Sequence, residues 1–153
     1  MKILVLSDTH GFDCAERIAL LAQSADMIIH LGDGYFDAQQ ICSLAQKSFI
    51  SIKGNCDFYG SQVENIKVDG HIIMCTHGHL YGVKTGLTTL SYAAEEAGAD
   101  IVLYGHTHVP DITNYNNKWF INPGSLGRPL TKVRTYCLLT IDKDKVKPEL
   151  KEF

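Results

Sequence analysis

Short apolar runs of strand length alternate with helical patterns along the first third of the chain. The runs lie at 2–7, 27–31 and 49–53. Apolar residues recur at helical spacing between the first two runs, at Ile18, Leu21, Ala22 and Ala25. Asp13, with Glu16 three residues later, resembles a capping box that opens this helix, and a second helix of about ten residues starts near Phe36. This βαβαβ order predicts parallel strands joined by right-handed crossovers.

The remainder of the chain is richer in hairpin signals. Paired runs flank turn residues at three places: Val63–Val68 and 71–75 around Asp69-Gly70, 109–115 and 118–121 around Asn116-Asn117, and the residues on either side of Lys143-Asp144. A helix at 85–97, ended by Gly98, leads to a strand at 101–104. We therefore predict an α/β fold in which two mixed β-sheets pack together with helices outside, as one domain spanning residues 1–153.

Composition narrows the classes of function. The chain has 153 residues, of which 45% are hydrophobic, and a formal net charge of -3. That charge gives no basic field to hold nucleic acid or an anionic membrane. The apolar run at the start is too short for a signal peptide, and no run of about 18 apolar residues is present. We expect a cytoplasmic protein. Its five cysteines form no CxxC pair, which argues against a disulfide framework and against a thiolate zinc site.

Metal-binding side chains lie directly after the predicted strands. The groups are Asp8-Thr9-His10, Gly32-Asp33, Gly54-Asn55, Thr76-His77-Gly78-His79 and Gly105-His106-Thr107-His108. Because the carboxyl ends of parallel strands meet at one edge of a sheet, these side chains are expected to converge. Each group alone is a weak signal, since most such tripeptides are turns. An ordered set, with every group after a strand, is hard to obtain by chance.

The donor set itself indicates the chemistry. It comprises two Asp (Asp8 and Asp33), Asn55 and four His (His10, His77, His106 and His108), without a thiolate. Oxygen and imidazole ligands together suit Mn²⁺, Fe, Ni²⁺ or Zn²⁺ better than Ca²⁺ or Mg²⁺ alone. Seven donors exceed the three or four of a mononuclear zinc site and fit two ions that share one carboxylate. Two ions about 3.5–4 Å apart can activate water and neutralise phosphate oxygens.

The motifs resemble those of the calcineurin-like metallophosphoesterase superfamily, in particular its small phosphodiesterases of the YfcE type. The similarity rests on Ser7-Asp8-Thr9-His10-Gly11, His30-Leu31-Gly32-Asp33, Gly54-Asn55-Cys56-Asp57 and Tyr104-Gly105-His106-Thr107-His108. It extends over nearly the whole chain. It implies a four-layer α/β/β/α sandwich and a metal-dependent phosphoric ester hydrolase.

The resemblance also implies a role for each donor. Two divalent ions are expected, with Mn first and Ni, Zn, Fe or Mg as alternatives. The first ion would be held by Asp8, His10 and His108, the second by Asn55, His77 and His106, with Asp33 shared by both. A hydroxide bridging the ions would then attack phosphorus in line with the leaving group.

One position departs from the family pattern. Many relatives have GNHD where this chain has Gly54-Asn55-Cys56-Asp57, and their histidine lies near the leaving group as a proton donor. Cys56 is a weak hydrogen-bond donor. We therefore expect either good leaving groups or proton donation by another residue, such as His79, or by water. Asn55 and His79 are the candidate catalytic residues. Asn55, Cys56 and His79 are the predicted substrate-binding residues, with Asn55 contacting the substrate phosphate.

Nearby polar residues have simpler interpretations. His30 ends an apolar run and is expected to be a core histidine. Asp57 either orients a neighbour or caps the following turn, and Arg128 is interpreted as a surface arginine in preference to a phosphate ligand.

Three classes of function compete. The first is hydrolysis of a small phosphate ester, a diester in preference to a monoester, without stable nucleic-acid or membrane binding and with homo-oligomers allowed. The second is a catalytically weak scaffold on the same fold, like a small subunit of the retromer complex. The third is metal storage or sensing. A degenerate scaffold usually loses metal ligands, and here every expected ligand is present, which favours the enzyme.

Overall fold

We describe the chain from a computed structural model that covers residues 1–153. Ten strands and three α-helices make up the regular structure. They are β1 (Lys2–Leu6), α1 (Ala15–Leu21), β2 (Met27–His30), α2 (Tyr35–Ala45), β3 (Ser48–Ser51), β4 (Val63–Val68), β5 (His71–Thr76), α3 (Thr88–Glu96), β6 (Ile101–Leu103), β7 (Asp111–Tyr115), β8 (Lys118–Asn122), β9 (Thr135–Asp142) and β10 (Lys145–Glu152). None of the helices combines the length and the apolar composition that crossing a membrane requires.

The strands form two mixed sheets of five strands each. The first has the order β10-β9-β1-β2-β3, and the second has the order β4-β5-β6-β8-β7. Strands β1, β2 and β3 pair in parallel, as the βαβαβ pattern predicts. Strands β5, β6 and β8 are also parallel, while β4, β7, β9 and β10 join as antiparallel hairpin partners. The predicted pair of mixed sheets is confirmed.

Alternation along each central strand builds the layers. In β1, Ile3 and Val5 face the second sheet, where they pack in one core with Ile73 and Ile101. The intervening Leu4 and Leu6 face the other way, into a core shared with α1 and α2, while α3 covers the outer face of the second sheet. A strand covered on both faces has no solvent side, which is why the central strands read as continuous apolar runs. The result is the four-layer α/β/β/α arrangement.

Helix starts differ from the prediction. Helix α1 is capped by Cys14 without a side-chain hydrogen bond, so the predicted Asp13 capping box is wrong. With Cys14 as the cap, Arg17 and not an acid occupies the third helical position that a capping box requires. Helix α3 begins at Thr88 instead of residue 85, because Gly82 and Gly86 adopt positive φ (61° and 141°) and hold the preceding residues in turns.

A candidate metal centre at the site edge

The carboxyl ends of β1, β2, β5 and β6 meet along one edge of the sandwich, which we call the site edge. Residues Asp8, Asp33, His77 and Gly105 follow these strands within three residues. Backbone hydrogen bonds tie the loops in pairs: the N–H of Asp8 donates to the carbonyl of Gly32 (2.9 Å), and the N–H of Gly105 donates to that of His77 (3.1 Å). The convergence predicted from strand ends is therefore found.

The backbone at this edge is in an uncommon conformation. Five non-glycine residues have left-handed φ angles: Asp8 (54°), His10 (46°), Asp33 (56°), His106 (67°) and His108 (59°). Such residues cost about 1–3 kcal/mol each and cluster at functional sites. All five belong to the predicted ligand set. The backbone strain at this edge is thus concentrated on predicted ligands.

Six of the seven predicted ligands lie together in two groups. The first group is Asp8, His10, Asp33 and His108, the second is Asp33, His77 and His106, and within each group the ligand atoms lie within 4.8 Å of one another. Asp33 belongs to both. Its Oδ2 is 3.5 Å from Nε2 of His77 and 3.7 Å from Nε2 of His10.

Asn55, the seventh predicted ligand, lies on the adjoining loop after β3 and is exposed. Its amide nitrogen is 3.4 Å from Sγ of Cys56. The N–H of Cys56 donates to Oδ1 of Asp33 (2.7 Å), so this loop is bound to the shared carboxylate. The ligand role of Asn55 stays a prediction.

Hydrogen bonds behind the cluster aim its lone pairs inward. Nδ1 of His77 is 2.7 Å from the carbonyl of Leu31, and Nδ1 of His108 is 2.6 Å from the carbonyl of Arg128. Because a carbonyl only accepts, each Nδ1 carries the proton and each Nε2 is left to bind a ligand. Likewise, Oδ2 of Asp8 accepts bonds from the Ser7 hydroxyl (2.5 Å) and the His106 N–H (3.1 Å), which leaves Oδ1 facing Nε2 of His108, 3.1 Å away.

Two buried atoms in the cluster have no hydrogen-bond partner. They are Oδ1 of Asp8 and Nε2 of His77, which lie 3.9 Å apart on fully buried side chains. An unsatisfied buried polar group costs about 1–3 kcal/mol, and more when it is charged. A cation in each of the two ligand groups would satisfy these acceptors. The oxygen and imidazole donors therefore fit a divalent metal.

The protonation states agree with metal binding. Burial opposes the charge on Asp33, but the His77 ring and the Cys56 N–H outweigh it and hold the pKa of Asp33 below its ordinary value. Burial lowers the pKa of His106 to about 4, so its ring is neutral. At His77, burial is outweighed by the Asp33 and Asp8 carboxylates, which raise its pKa. The raised pKa favours a second proton on the His77 ring, and a metal ion would take the place of that proton, since ligands bind in their deprotonated forms.

Asp57 anchors two of the loops, a role the sequence left open. Its carboxylate accepts backbone N–H groups from Asp33 (2.7 Å), Gly34 (3.0 Å), Tyr35 (2.8 Å) and Gly54 (2.9 Å). A Cβ at Gly54 would collide with Asp33, so only glycine lets the loops approach this closely. Asp57 therefore orients its neighbours, and it does so through the backbone.

The two candidate proton donors lie at opposite sides of the second group. Cys56 is exposed, and burial of its sulfur together with Asp33 raises its thiol pKa, so it stays protonated. The His79 ring is 5.4 Å from that of His77 and 6.0 Å from that of His106, and its buried Nδ1 has no partner. The catalytic roles of both residues stay predictions.

His30 is a satisfied core histidine, as predicted. It is fully buried, its Nε2 is 3.1 Å from the Thr9 hydroxyl, and its Nδ1 accepts the N–H of Gly32 (3.2 Å).

Three basic residues surround the cluster, and sequence reasoning missed all of them as site residues. Arg128 is close enough for its charge to lower the pKa of His10, while Lys84 does so for His106 and Lys53 for His79. Arg128 is exposed, as a surface arginine should be, but its backbone is fixed beside the site: Oγ of Ser125 accepts its N–H (2.8 Å) and donates to the carbonyl of Asp8 (2.8 Å).

Comparison with known proteins supports the motif interpretation. The chain is 34% identical to the probable metallophosphoesterase YsnB of Bacillus subtilis, over 94% of this chain and 86% of that protein. It is 30% identical to the phosphodiesterase YfcE of Escherichia coli K12, over 84% of this chain and 81% of that protein.

Solved structures share the fold. A conserved protein of Streptococcus pneumoniae, described as a predicted phosphoesterase, has a TM-score of 0.84 at 30% identity and covers 99% of this chain and 88% of its own. Vps29 of Entamoeba histolytica, solved with Zn²⁺, has a TM-score of 0.82 at 21% identity over 99% of both chains, a likeness of fold alone. The model of the calcineurin-like phosphoesterase superfamily domain matches residues 1–144. The chain therefore belongs to the calcineurin-like phosphoesterase superfamily.

Proposed function

We propose that this chain is a phosphodiesterase that works with two divalent metal ions. The observation that carries the proposal is the pair of ligand groups that share Asp33, with buried, unpartnered atoms on Asp8 and His77. The first ion would be held by Asp8, His10, Asp33 and His108, and the second by Asp33, Asn55, His77 and His106. Mn²⁺ is our first choice, because the donors mix carboxylate oxygen and imidazole.

Two ions at this centre would supply the Lewis acidity and the activated water that ester hydrolysis needs. The chain's own residues bind and orient the substrate. Arg128, Lys84 and Lys53 give the surroundings a positive field that favours a phosphate, and Asn55 would contact its oxygens. Cys56 occupies the family's donor position, but its pKa is raised, which makes the thiol a weak acid. His79 is therefore the proposed proton donor to the leaving oxygen. The relative named a phosphodiesterase supports the diester over the monoester.

The test uses metal-stripped protein assayed on bis(p-nitrophenyl) phosphate and p-nitrophenyl phosphate, with Mn²⁺, Ni²⁺, Zn²⁺ or Mg²⁺ added back. We expect metal-dependent turnover that favours the diester. His77→Ala and Asp33→Ala should each lower kcat/KM by about 10³-fold, the upper end for loss of one preorganised electrostatic partner. His71→Ala is the matched control, because His71 begins the strand that His77 follows but lies at its other end. Turnover that survives in His77→Ala would contradict the proposal.

A scaffold function is the second candidate, favoured by the close fold similarity to Vps29. The same assay separates the two. A folded protein that binds metal ions by calorimetry but turns over neither ester with any of the four metals would support the scaffold.

A further inference from the structure

Aromatic side chains lie on two of the loops that carry predicted ligands. Tyr35 and Phe36 come directly after Asp33-Gly34, and Phe58 and Tyr59 close the loop that starts at Asn55. Phe36 is 75% exposed, Phe58 84% and Tyr59 63%. Exposed apolar residues scattered singly are common, but an exposed group beside one site indicates binding.

Three of these rings are in contact, and we call them the aromatic shelf (Tyr35, Phe36 and Tyr59). The Phe36 ring is nearly perpendicular to that of Tyr35 (80°), and the Tyr59 ring is tilted from it by 48°. The ring centroid of Tyr35 lies 5.5 Å from that of Phe36 and 5.5 Å from that of Tyr59. The carboxylate of Asp57 accepts the N–H of Tyr35 and the N–H of Gly54, so the same anchor fixes both loops that bear the rings. The shelf is therefore preformed and held in register with Asp33.

One cleft joins the shelf to the metal centre. It has a volume of about 270 Å³ and is lined by His10 and Asp33 on one side and by Tyr35, Phe36 and Cys56 on the other. This volume is slightly below the range of about 300–1,000 Å³ that is usual for small-molecule sites, so the cleft accommodates part of one small ligand and not a folded partner. A molecule that reaches Asp33 through this cleft must pass along the rings.

A positive charge lies close to the cleft and would attract the phosphate of a ligand. Arg128 is close enough to act on His10 and on Cys56, both of which line the cleft. The carboxylates on the shelf side are occupied by backbone groups: Asp37 accepts the N–H of Gly11 (2.8 Å), and Asp57 accepts four N–H groups.

We propose that the aromatic shelf stacks the planar ring of a nucleoside, so that the substrates are small phosphodiesters with a nucleoside on one arm. The phosphate lies at the metal centre, and the base lies against Phe36 and Tyr59. This proposal rests on the proposed phosphodiesterase function. Aromatic rings are the usual stacking surface for bases, and stacking tolerates different bases because each one has a π-face.

The experiment compares two substrates that differ only in the base. They are the methyl ester of deoxyadenosine 5′-monophosphate and its abasic analogue with hydrogen at the sugar's C1′, both assayed with Mn²⁺-loaded protein. We expect kcat/KM to favour the first by about tenfold, within the range measured for base stacking. Phe36→Ala and Tyr59→Ala should bring this ratio close to one. Phe36→Leu keeps apolar area without a ring and should lower the ratio as well.

Tyr92→Ala is the matched control, because Tyr92 is similarly exposed (72%) but lies on α3, and its ring contacts none of the three rings of the aromatic shelf. Turnover of both esters with equal kcat/KM would overturn the shelf proposal and leave the phosphodiesterase standing. If neither ester is hydrolysed, the proposed function fails, and saturation-transfer NMR with uncharged deoxyadenosine still tests the shelf. Base-proton signals that disappear in Phe36→Ala would support it, and their absence in the unaltered protein would overturn it.

Discussion

Non-glycine residues with positive φ occur at both edges of this sandwich, but they serve different purposes there. Ten non-glycine residues have positive φ, and five of them are predicted metal ligands at the site edge. The other five lie at the opposite edge, which we call the turn edge: Gln46, Asp69, Asn116, Asn117 and Lys143. There the conformation simply reverses the chain, at the end of α2 and in three hairpins.

Hydrogen bonding separates the edges further. At the turn edge, His71 is satisfied on both nitrogens, by Asp100 and by the carbonyl of Lys143. At the site edge, buried atoms of Asp8 and His77 have no partner. His71 and His77 flank the same strand, β5, so sequence distance does not explain the contrast. Unsatisfied buried groups that persist beside strained backbone are what a ligand site requires and what a purely structural edge avoids.

The largest effect on stability is expected from Asp57, which holds the site edge together. Asp57→Asn leaves a single acceptor oxygen for four backbone N–H groups. We expect the free energy of unfolding to fall by about 3 kcal/mol, since each charged hydrogen bond contributes about 1.5–3 kcal/mol and part of the loss is made good by water. Urea unfolding of metal-free protein measures this. The control is Asp37→Asn, because the Asp37 carboxylate accepts only one backbone N–H, from Gly11. The free energy of unfolding of this variant should fall by about 1 kcal/mol or less. Equal losses in the two variants would remove Asp57 from its anchoring role.

Metal binding should offset the cost of the unpartnered buried atoms at the site edge and so stabilise the fold. Mn²⁺ at 100 times its Kd is expected to raise the free energy of unfolding by about 2.7 kcal/mol, because it binds only the folded state. Thermal unfolding with and without chelator gives the value. His77→Ala should reduce the gain, because it removes a ligand of the second ion, whereas His71→Ala should retain it in full. A gain that is the same in both variants would place the metal elsewhere.

Much of the fold was predictable from sequence, because its signals are local. Apolar runs such as 27–31 marked buried strands, and Asp69-Gly70 and Asn116-Asn117 marked turns whose φ angles are indeed positive. The site residues were predictable for a related reason: parallel strands end at one edge, so ligands that follow them must converge.

What sequence did not predict depends on contacts between loops. The four N–H groups that Asp57 accepts come from two segments, and nothing local at residue 57 distinguishes this from a turn cap. Arg128 is likewise held beside the site by its hydrogen bond to Ser125, which in turn donates to the carbonyl of Asp8, 117 positions away in sequence. The Asp13 capping box failed because helix α1 starts one residue later, which only its packing decides.

Strain at the turn edge can be relieved without loss of function. Lys143 is exposed, has φ 49° and occupies the first central position of a two-residue hairpin turn, where glycine is favoured. Lys143→Gly should raise the free energy of unfolding by about 0.5–1 kcal/mol, because an L-residue in this region costs about 1–2 kcal/mol and glycine's larger unfolded-state entropy offsets part of that. Asn117→Gly is the control and should gain less, since Asn tolerates this region better. Activity should be unchanged in both. A loss of stability in Lys143→Gly would show that its backbone is not strained.

An effect of similar size is expected when the pH changes at the turn edge. The Asp100 carboxylate raises the pKa of His71 above 6.5, and the Lys143 carbonyl and Asp144 act in the same direction. A raised pKa means that the protonated ring stabilises the folded state. This contribution is complete below pH 6.5 and is lost as the pH rises through the higher folded-state pKa.

His71→Gln should therefore cost up to about 1 kcal/mol at pH 6, as for a partly exposed ion pair, and almost nothing at pH 9. Urea unfolding of both proteins at the two pH values, in chelator, isolates this contribution from the site-edge histidines that the proteins share. Repeating the pair with Mn²⁺ tests the comparison itself. The difference in free energy of unfolding between the two proteins should not change with Mn²⁺. The contribution of His71 comes from its protonation, whereas the proposed metal ion binds at His77, at the other end of β5. A difference that changes with Mn²⁺ would mean that β5 couples the two edges, and they could no longer be treated as separate.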